Sequence, residues 1–208
     1  VITDLDEQIG RVLAALRDSG RYDNTIVIFT SDHGLALGSH GLLGKQNMYD
    51  HTIGVPLIMR GPGIPQNRRF SAQVYLRDLY PSVCDMVGVP IPATVESRSL
   101  VPVLKGLARE IHPEVYAYWH RSEYATELPV QRMVRTERWK LIFYSNVNRY
   151  QLFDLANDPH ELRDLSADGR FKSEFAALQR KLDEWFEPRI APYRNVPRKK
   201  AKRATAVN

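Results

Sequence analysis

The chain has 208 residues, 43% of them hydrophobic and 25% charged, with a formal net charge of +5. That balance is usual for a soluble globular protein, and no apolar run approaches the ~20 residues a membrane-spanning helix needs. The single cysteine, Cys84, excludes an internal disulfide and a multi-cysteine metal site. Much of the excess positive charge sits in Arg198, Lys199, Lys200, Lys202 and Arg203. No aromatic residue lies among these charges, so residues 193–208 read as a solvated basic tail without a stacking platform for nucleic acid. Val1 to Gly10 is polar and acidic and shows no signal-peptide pattern. There is no initiator Met, so a targeting segment could lie upstream, and the compartment stays open.

Residues 3–18 are expected to form an amphipathic helix, with Leu5, Ile9, Val12 and Leu16 on one face and Gly20 as its stop. After the turn at Asp23-Asn24, Thr25 to Thr30 is an unbroken β-branched and aromatic run. A run without alternation predicts an interior strand of an α/β sheet, covered on both faces. Val55 to Met59 is a second such run, stopped by Gly61-Pro62-Gly63. The Gly-rich stretch 31–54 between them is too long for a casual connection, and long loops in compact domains are usually functional. Residues 75–87 predict a further helix with Leu76, Leu79, Val83 and Val87 inward, and Cys84 as a small buried thiol. From there to about residue 110 the chain reads as a connection.

Four strands are expected next, at Glu114–Trp119, Val130–Thr136, Trp139–Tyr144 and Tyr150–Leu155. Short polar turns between the last three predict antiparallel hairpins. Phe171, Phe175, Leu178, Leu182 and Trp185 repeat at helical spacing over about 173–187, with Ser173 as N-cap. Pro188, Pro192 and Pro197 are expected to end regular structure. The reading is an α/β portion over 1–95, a small antiparallel sheet with a packed helix over 96–192, and the tail.

The chemistry concentrates in Ser31-Asp32-His33-Gly34, at the carboxyl end of the first strand, where open α/β sheets bind ligands. Asp32 offers carboxylate oxygens and His33 an imidazole nitrogen, both suited to a divalent cation. Gly34 leaves room for close approach. Alone, such a pair is a weak signal and reads better as a capping Asp beside a surface His.

The stretch continues through Leu37-Gly38-Ser39-His40-Gly41, Gly44-Lys45, Tyr49-Asp50, Val55-Pro56-Leu57-Ile58 and Gly61-Pro62-Gly63. Farther on come Asp78-Leu79-Tyr80-Pro81, Gly88-Val89-Pro90, Arg98-Ser99-Leu100, Leu104-Lys105-Gly106, and Leu152-Phe153-Asp154-Leu155 with Asp158-Pro159 and Glu161. In this order the motifs resemble the sulfatase family of the alkaline-phosphatase-like superfamily over nearly the whole chain. The Asp-His pair is similar to the branch of choline-sulfatases, iduronate-type sulfatases and phosphonate monoester hydrolases. Gly54 departs from the pattern, standing where many relatives carry Arg.

The resemblance implies an α/β fold: the C-terminal part of a mixed-sheet sandwich, then a four-stranded antiparallel sheet with a packed helix. It implies that Asp32 and His33 complete a divalent metal site (calcium first, magnesium or manganese as alternatives). Lys45 matches the lysine that contacts the sulfate and its leaving oxygen. His40 matches a loop position that either positions substrate or transfers a proton, or is structural; His51 is peripheral. The family's nucleophile, a formylglycine made within C-x-P-x-R or S-x-P-x-R, is absent: Cys84-Asp85-Met86-Val87-Gly88 has neither the Pro nor the Arg. The expected function is therefore that of a C-terminal fragment of a sulfuric ester hydrolase acting on a small-molecule or saccharide sulfate ester. The alternatives are a phosphodiester or phosphonate monoester hydrolase, or a non-catalytic binding module. The resemblance favours a periplasmic or secreted setting and leaves oligomeric state open.

Overall fold

Helix α1 spans Ile2–Asp18, carries Asp4 in its first turn and Arg17 in its last, and ends just before Gly20, whose φ is 68°. Those charges oppose the helix dipole, and the positive φ is one that glycine adopts without steric cost. In a computed structural model of the chain, residues 1–119 and 131–190 are described; the basic tail, Val130, Pro192 and Pro197 lie outside them. The chain divides into two units. One comprises Val1–Asp32 with Val55–His112, the other His33–Gly54 with Pro113–Asn208. The Gly-rich loop 33–54 thus belongs with the C-terminal sheet, a grouping that the linear boundary at 95/96 does not express.

In the first unit, strand β1, Val27–Thr30, pairs antiparallel with β2, Leu57–Arg60, and among the described residues this sheet has two strands. Leu57 and Met59 pack on a buried cluster of Leu100, Val103 and Ile111. On the opposite face Phe29 and its cross-strand partner Ile58 are exposed. The expectation of cover on both faces is met on one face only. Apolar periodicity reports what a strand can bury, and the described residues of this unit supply one layer. The apolar stripe of α1 is exposed for the same reason, with no residue of the helix buried.

Helix α3, Leu79–Val87, lies where the periodicity placed it, but its inward face is different. Pro81, Ser82 and Cys84 are buried, whereas Leu76, Val83 and Val87 are exposed. Polar groups hold the buried side. Asp78, closed off from solvent, accepts from Tyr75 N–H at 2.7 Å and Arg98 N–H at 3.2 Å, and pairs with His112 Nε2 at 2.8 Å. Ser82 Oγ accepts from Leu100 N–H at 2.8 Å and donates to Asp78 carbonyl. Satisfied hydrogen bonds remove the penalty of burying these groups, so a hydrophobicity pattern misassigns the face. Helix α4, Val101–Leu104, follows.

In the second unit, β3 (Val115–Trp119), β4 (Gln131–Arg135), β5 (Trp139–Tyr144) and β6 (Arg149–Asp154) form an antiparallel meander in sequence order. Its two faces are sorted by alternation. Val134, Leu141 and Leu152 pack with Leu178 and Leu182 of α5, Lys172–Ile190. Met133, Ile142 and Phe153 pack on the other side with Met48 and Tyr49 from loop 33–54. Each fully buried Leu or Ile contributes roughly 1.5–3 kcal/mol here. The predicted strands and terminal helix are present, with two differences at the helix ends. Asp168, not Ser173, caps the start, accepting from Arg170 N–H at 3.1 Å as the last turn before α5 forms. Pro188 lies inside the helix, which runs two residues past it.

Candidate functional site

The loop that follows β1 is shaped by glycines. Gly34 N–H donates to Thr52 carbonyl at 2.7 Å, and a Cβ at Gly34 would lie 2.1 Å from the His51 carbonyl oxygen. Only a residue without a side chain permits that approach, which ties the start of the loop to α2, Asp50–Ile53. Between these points the chain folds back on itself: Ala36 N–H donates to Gly44 carbonyl at 3.1 Å and Gly38 N–H to Leu42 carbonyl at 2.7 Å. His40 lies at the tip with φ 55°.

Lys45 and His33 meet at the base of this turn, Nζ lying 2.5 Å from Nε2. His33 Nδ1 donates to Gly34 carbonyl at 3.0 Å. The network therefore assigns the ring proton to Nδ1 and makes Nε2 the acceptor for the ammonium. That is the tautomer in which a histidine ligates through Nε2, its other nitrogen held by a backbone carbonyl. Asp32, exposed, is the last residue of the first unit and precedes His33 directly. A carboxylate and an imidazole are side-chain types that a divalent cation takes as donors, although His33 Nε2 is engaged here by Lys45 Nζ. Among the described residues no cluster of three or more His, Cys, Asp or Glu side chains is placed to hold one.

Behind Lys45 the loop is fastened to the sheet. Gln131 Nε2 donates to Gln46 carbonyl at 3.1 Å. Asp50 accepts from Lys140 Nζ at 2.8 Å and from Arg135 Nε at 3.3 Å. Lys140 also pairs with Glu161 Oε1 at 2.5 Å, and Glu161 Oε2 accepts from Asp50 N–H at 2.6 Å. Lys140 is 0% exposed and Glu161 2%. Burial pushes the Asp50 carboxyl up, but Lys140 and Arg135 together outweigh it and hold the pKa below the usual value. Burial also pushes Glu161 up, and there it wins over Lys140, with the Asp50 charge adding to the rise. Two carboxylates share one lysine, and the one with a second cation stays ionised more readily.

His40 is engaged in the same assembly. Its Nε2 donates to Glu161 carbonyl at 3.0 Å, and its ring stacks on Tyr49 with centroids 3.9 Å apart. Tyr49 and Tyr144 hydroxyls both donate to Gln151 Oε1, at 2.8 and 2.9 Å. His51 packs near His40 and Tyr49, and burial, then the nearby His40 and Lys140 charges, hold its pKa below the ordinary value. The structure brings Lys45 and His33 together, which the sequence names for separate roles, and the sequence motifs include Asp50 and Glu161 without a role. Sequence reasoning missed Lys140 and Arg135, which read as ordinary polar residues in alternating strands.

Residues 38–187 match the family described as N-sulphoglucosamine sulphohydrolase, C-terminal. The chain is 34% identical over 197 residues to a Delta 4,5-hexuronate-2-O-sulfatase of Bacteroides thetaiotaomicron, spanning 92% of this chain and 41% of that protein. It is 35% identical over 189 residues to arylsulfatase K of Bos taurus, spanning 86% and 34%. Among solved structures, a 2-O GAG sulfatase superposes with a TM-score of 0.81 at 33% identity, covering 94% of this chain and 43% of that one. A protein solved in complex with its substrate D-glucosamine-2-N,6-O-disulfate gives 0.77 at 27%, covering 97% and 41%. A phosphonate monoester hydrolase of Agrobacterium radiobacter gives 0.76 at 28%, covering 90% and 40%. The chain spans between about one third and two-fifths of the length of these proteins. With the ordered motifs, the loop and the four-stranded sheet in place, the chain belongs to the sulfatase family, as a counterpart of its C-terminal part.

Proposed function

We propose that these residues form the C-terminal part of a sulfuric ester hydrolase that cleaves a sulfate monoester of a saccharide. The observation that carries this reading is the Lys45–His33 contact at 2.5 Å, held on a loop fastened to its own sheet. In this reading Lys45 binds a sulfate oxygen and stabilises the charge that grows on the leaving oxygen. His33 keeps its proton on Nδ1, through Gly34 carbonyl, so that Nε2 carries the lone pair that Lys45 engages and would release to a cation. Asp32 and His33 are two of the residues that would hold a divalent cation, calcium being our choice. Such an ion, once bound, polarises the sulfate and the attacking group. His40 positions the loop through Glu161 and Tyr49, with its Nε2 proton committed to a carbonyl. The nucleophile, a formylglycine, would come from a C-x-P-x-R or S-x-P-x-R motif, which these 208 residues do not contain.

The likeness to a hydrolase of phosphonate monoesters favours one second reading, because a lysine and a divalent cation serve either tetrahedral anion. The test uses the polypeptide encoded by the whole reading frame around this segment, with its formylglycine matured. Its turnover of a sulfated glucosamine, a sulfated uronate and an aryl phosphonate monoester is compared. Sulfate ester turnover at least about tenfold faster in kcat/KM supports the proposal, a ratio worth ~1.4 kcal/mol in the transition state. Preference for the phosphonate replaces it with the second reading. Turnover of none of them rejects both.

A further inference from the structure

We infer that Lys140, with Glu161 and Asp50, is a positioning group for Lys45 and His33, acting through the loop rather than on the substrate. The inference rests on the proposed role of Lys45. The triad spans long separations in sequence, with Lys140 on β5, Asp50 at the start of α2, and Glu161 after β6. Lys140 is fully buried, its ammonium shared between two carboxylates at 2.8 and 2.5 Å.

Burying an ion triad is a poor way to gain stability, because desolvation takes back most of the attraction and an apolar cluster would do as well. What the triad supplies instead is a fixed geometry. Lys140 fits one position between two carboxylates, whereas the apolar contacts of Met48 and Tyr49 with the sheet tolerate sliding. The backbone adds a second observation. Glu161 has φ 56° and His40 φ 55°, and the two are joined by the His40 Nε2 to Glu161 carbonyl bond. Left-handed backbone at non-glycine residues costs energy and persists where the surroundings over-determine it. Both strained residues lie on the junction between loop and sheet. Lys45 sits between that junction and the Gly34–Thr52 tie, five residues before Asp50. A lysine that must reach an anion in the transition state depends on such placement.

The test is made on the full-length enzyme with two variants. Glu161→Gln keeps size and shape while removing one charge. Lys140→Met with Glu161→Gln removes one charge of each sign and leaves Asp50 to Arg135. Backbone hydrogen exchange and steady-state kinetics are measured on both. The expected result is faster exchange at Gly34, Ala36 and Gly54 while the amides of β4 to β6 keep their protection. In the double variant kcat is expected to fall about tenfold to a hundredfold with KM changed less than about threefold, as a displaced but intact lysine predicts. Unchanged loop exchange, or unchanged kcat despite faster exchange, overturns the inference. So does failure of both variants to fold, which would make the triad purely structural. Lys45→Ala run in parallel separates the two levels: if that substitution leaves kcat intact, the sulfate-site reading is what fails, whatever the exchange shows.

Discussion

Lys45 Nζ approaches His33 Nε2 to 2.5 Å while His33 Nδ1 donates to the Gly34 carbonyl. The contact fixes which nitrogen of His33 bears the proton, and it engages the Nε2 lone pair, so ligation of a metal by that nitrogen requires Lys45 to give it up.

Lys45→Ala in the full-length enzyme is expected to lower kcat by about a hundredfold to a thousandfold, with a smaller change in KM. A lysine directed at the leaving oxygen meets its full charge only in the transition state, so the loss falls on turnover. Lys45→Arg is expected to rescue only partly, because a planar fork cannot take the place of a compact ammonium. Steady-state kinetics on variants whose thermal melts match the parent decide the matter. Near-normal kcat for a folded Lys45→Ala protein would remove Lys45 from the sulfate site.

Gly34→Ala is expected to damage the loop although it adds only a methyl group. The new Cβ would sit 2.1 Å from the His51 carbonyl, so the backbone at 34 or at 51–52 has to move. Overpacking of this kind costs at least about 1–3 kcal/mol. The displacement should also break the 2.7 Å bond from Gly34 N–H to Thr52 carbonyl. A lowered melting temperature, with faster exchange at the Gly34 amide, is the expected pair of readings. An unchanged melt would show that the loop is looser than its hydrogen bonds indicate.

The parts legible in the sequence were those written in short-range pattern. The strands β3 to β6 and helix α5 follow from alternation and helical spacing, and Ser31 to Gly34 follows from a motif at a strand end. The inward face of α3 was not legible, because Asp78 and Ser82 are buried by virtue of hydrogen bonds to Arg98 and Leu100, about twenty residues away. Nor was the second cover of the sheet. Trp139 to Tyr144 reads as a half-buried strand, yet Leu141 faces α5 and Ile142 faces loop 33–54. Lys140, in the middle of that run, looks like a solvent-side residue; only folding brings it to Asp50 and Glu161. A buried lysine leaves no local signature, since its partners lie 90 and 21 positions away.

The 208-residue chain by itself is expected to show no sulfatase activity and only weak calcium binding. It contains no C-x-P-x-R or S-x-P-x-R motif in which formylglycine is made, and loss of the group that forms the covalent intermediate removes the main route. In the proposed site Asp32 and His33 would supply two ligands, whereas calcium takes about six to eight. An aryl sulfate assay with and without calcium, and a calorimetric titration, test both statements. Turnover well above blank, or submicromolar calcium affinity, would refute them.

The last expectation concerns pH and the two carboxylates that share Lys140. Burial lifts Glu161 above its unfolded pKa of about 4.3, and Lys140 does not fully offset it. A carboxyl whose folded pKa is raised binds its proton more tightly in the native state. Its contribution therefore declines as pH rises from the unfolded to the folded pKa, by about 1.4 kcal/mol for every tenfold difference in proton affinity between the two states. Asp50 has the opposite sign. Burial lifts it, but Lys140 and Arg135 hold it lower overall, so its stabilisation is present above its ordinary pKa and is lost as pH falls below about 4. Glu161→Gln removes the first effect and leaves the second. The variant should accordingly gain stability relative to the parent as pH rises above the ordinary carboxylate range, while both proteins lose stability together at lower pH. Denaturant titrations of the two proteins at closely spaced pH values give the comparison directly. If the gap moved the other way with rising pH, Lys140 would be dominating Glu161 and the carboxylate would be a permanently ionised member of the triad.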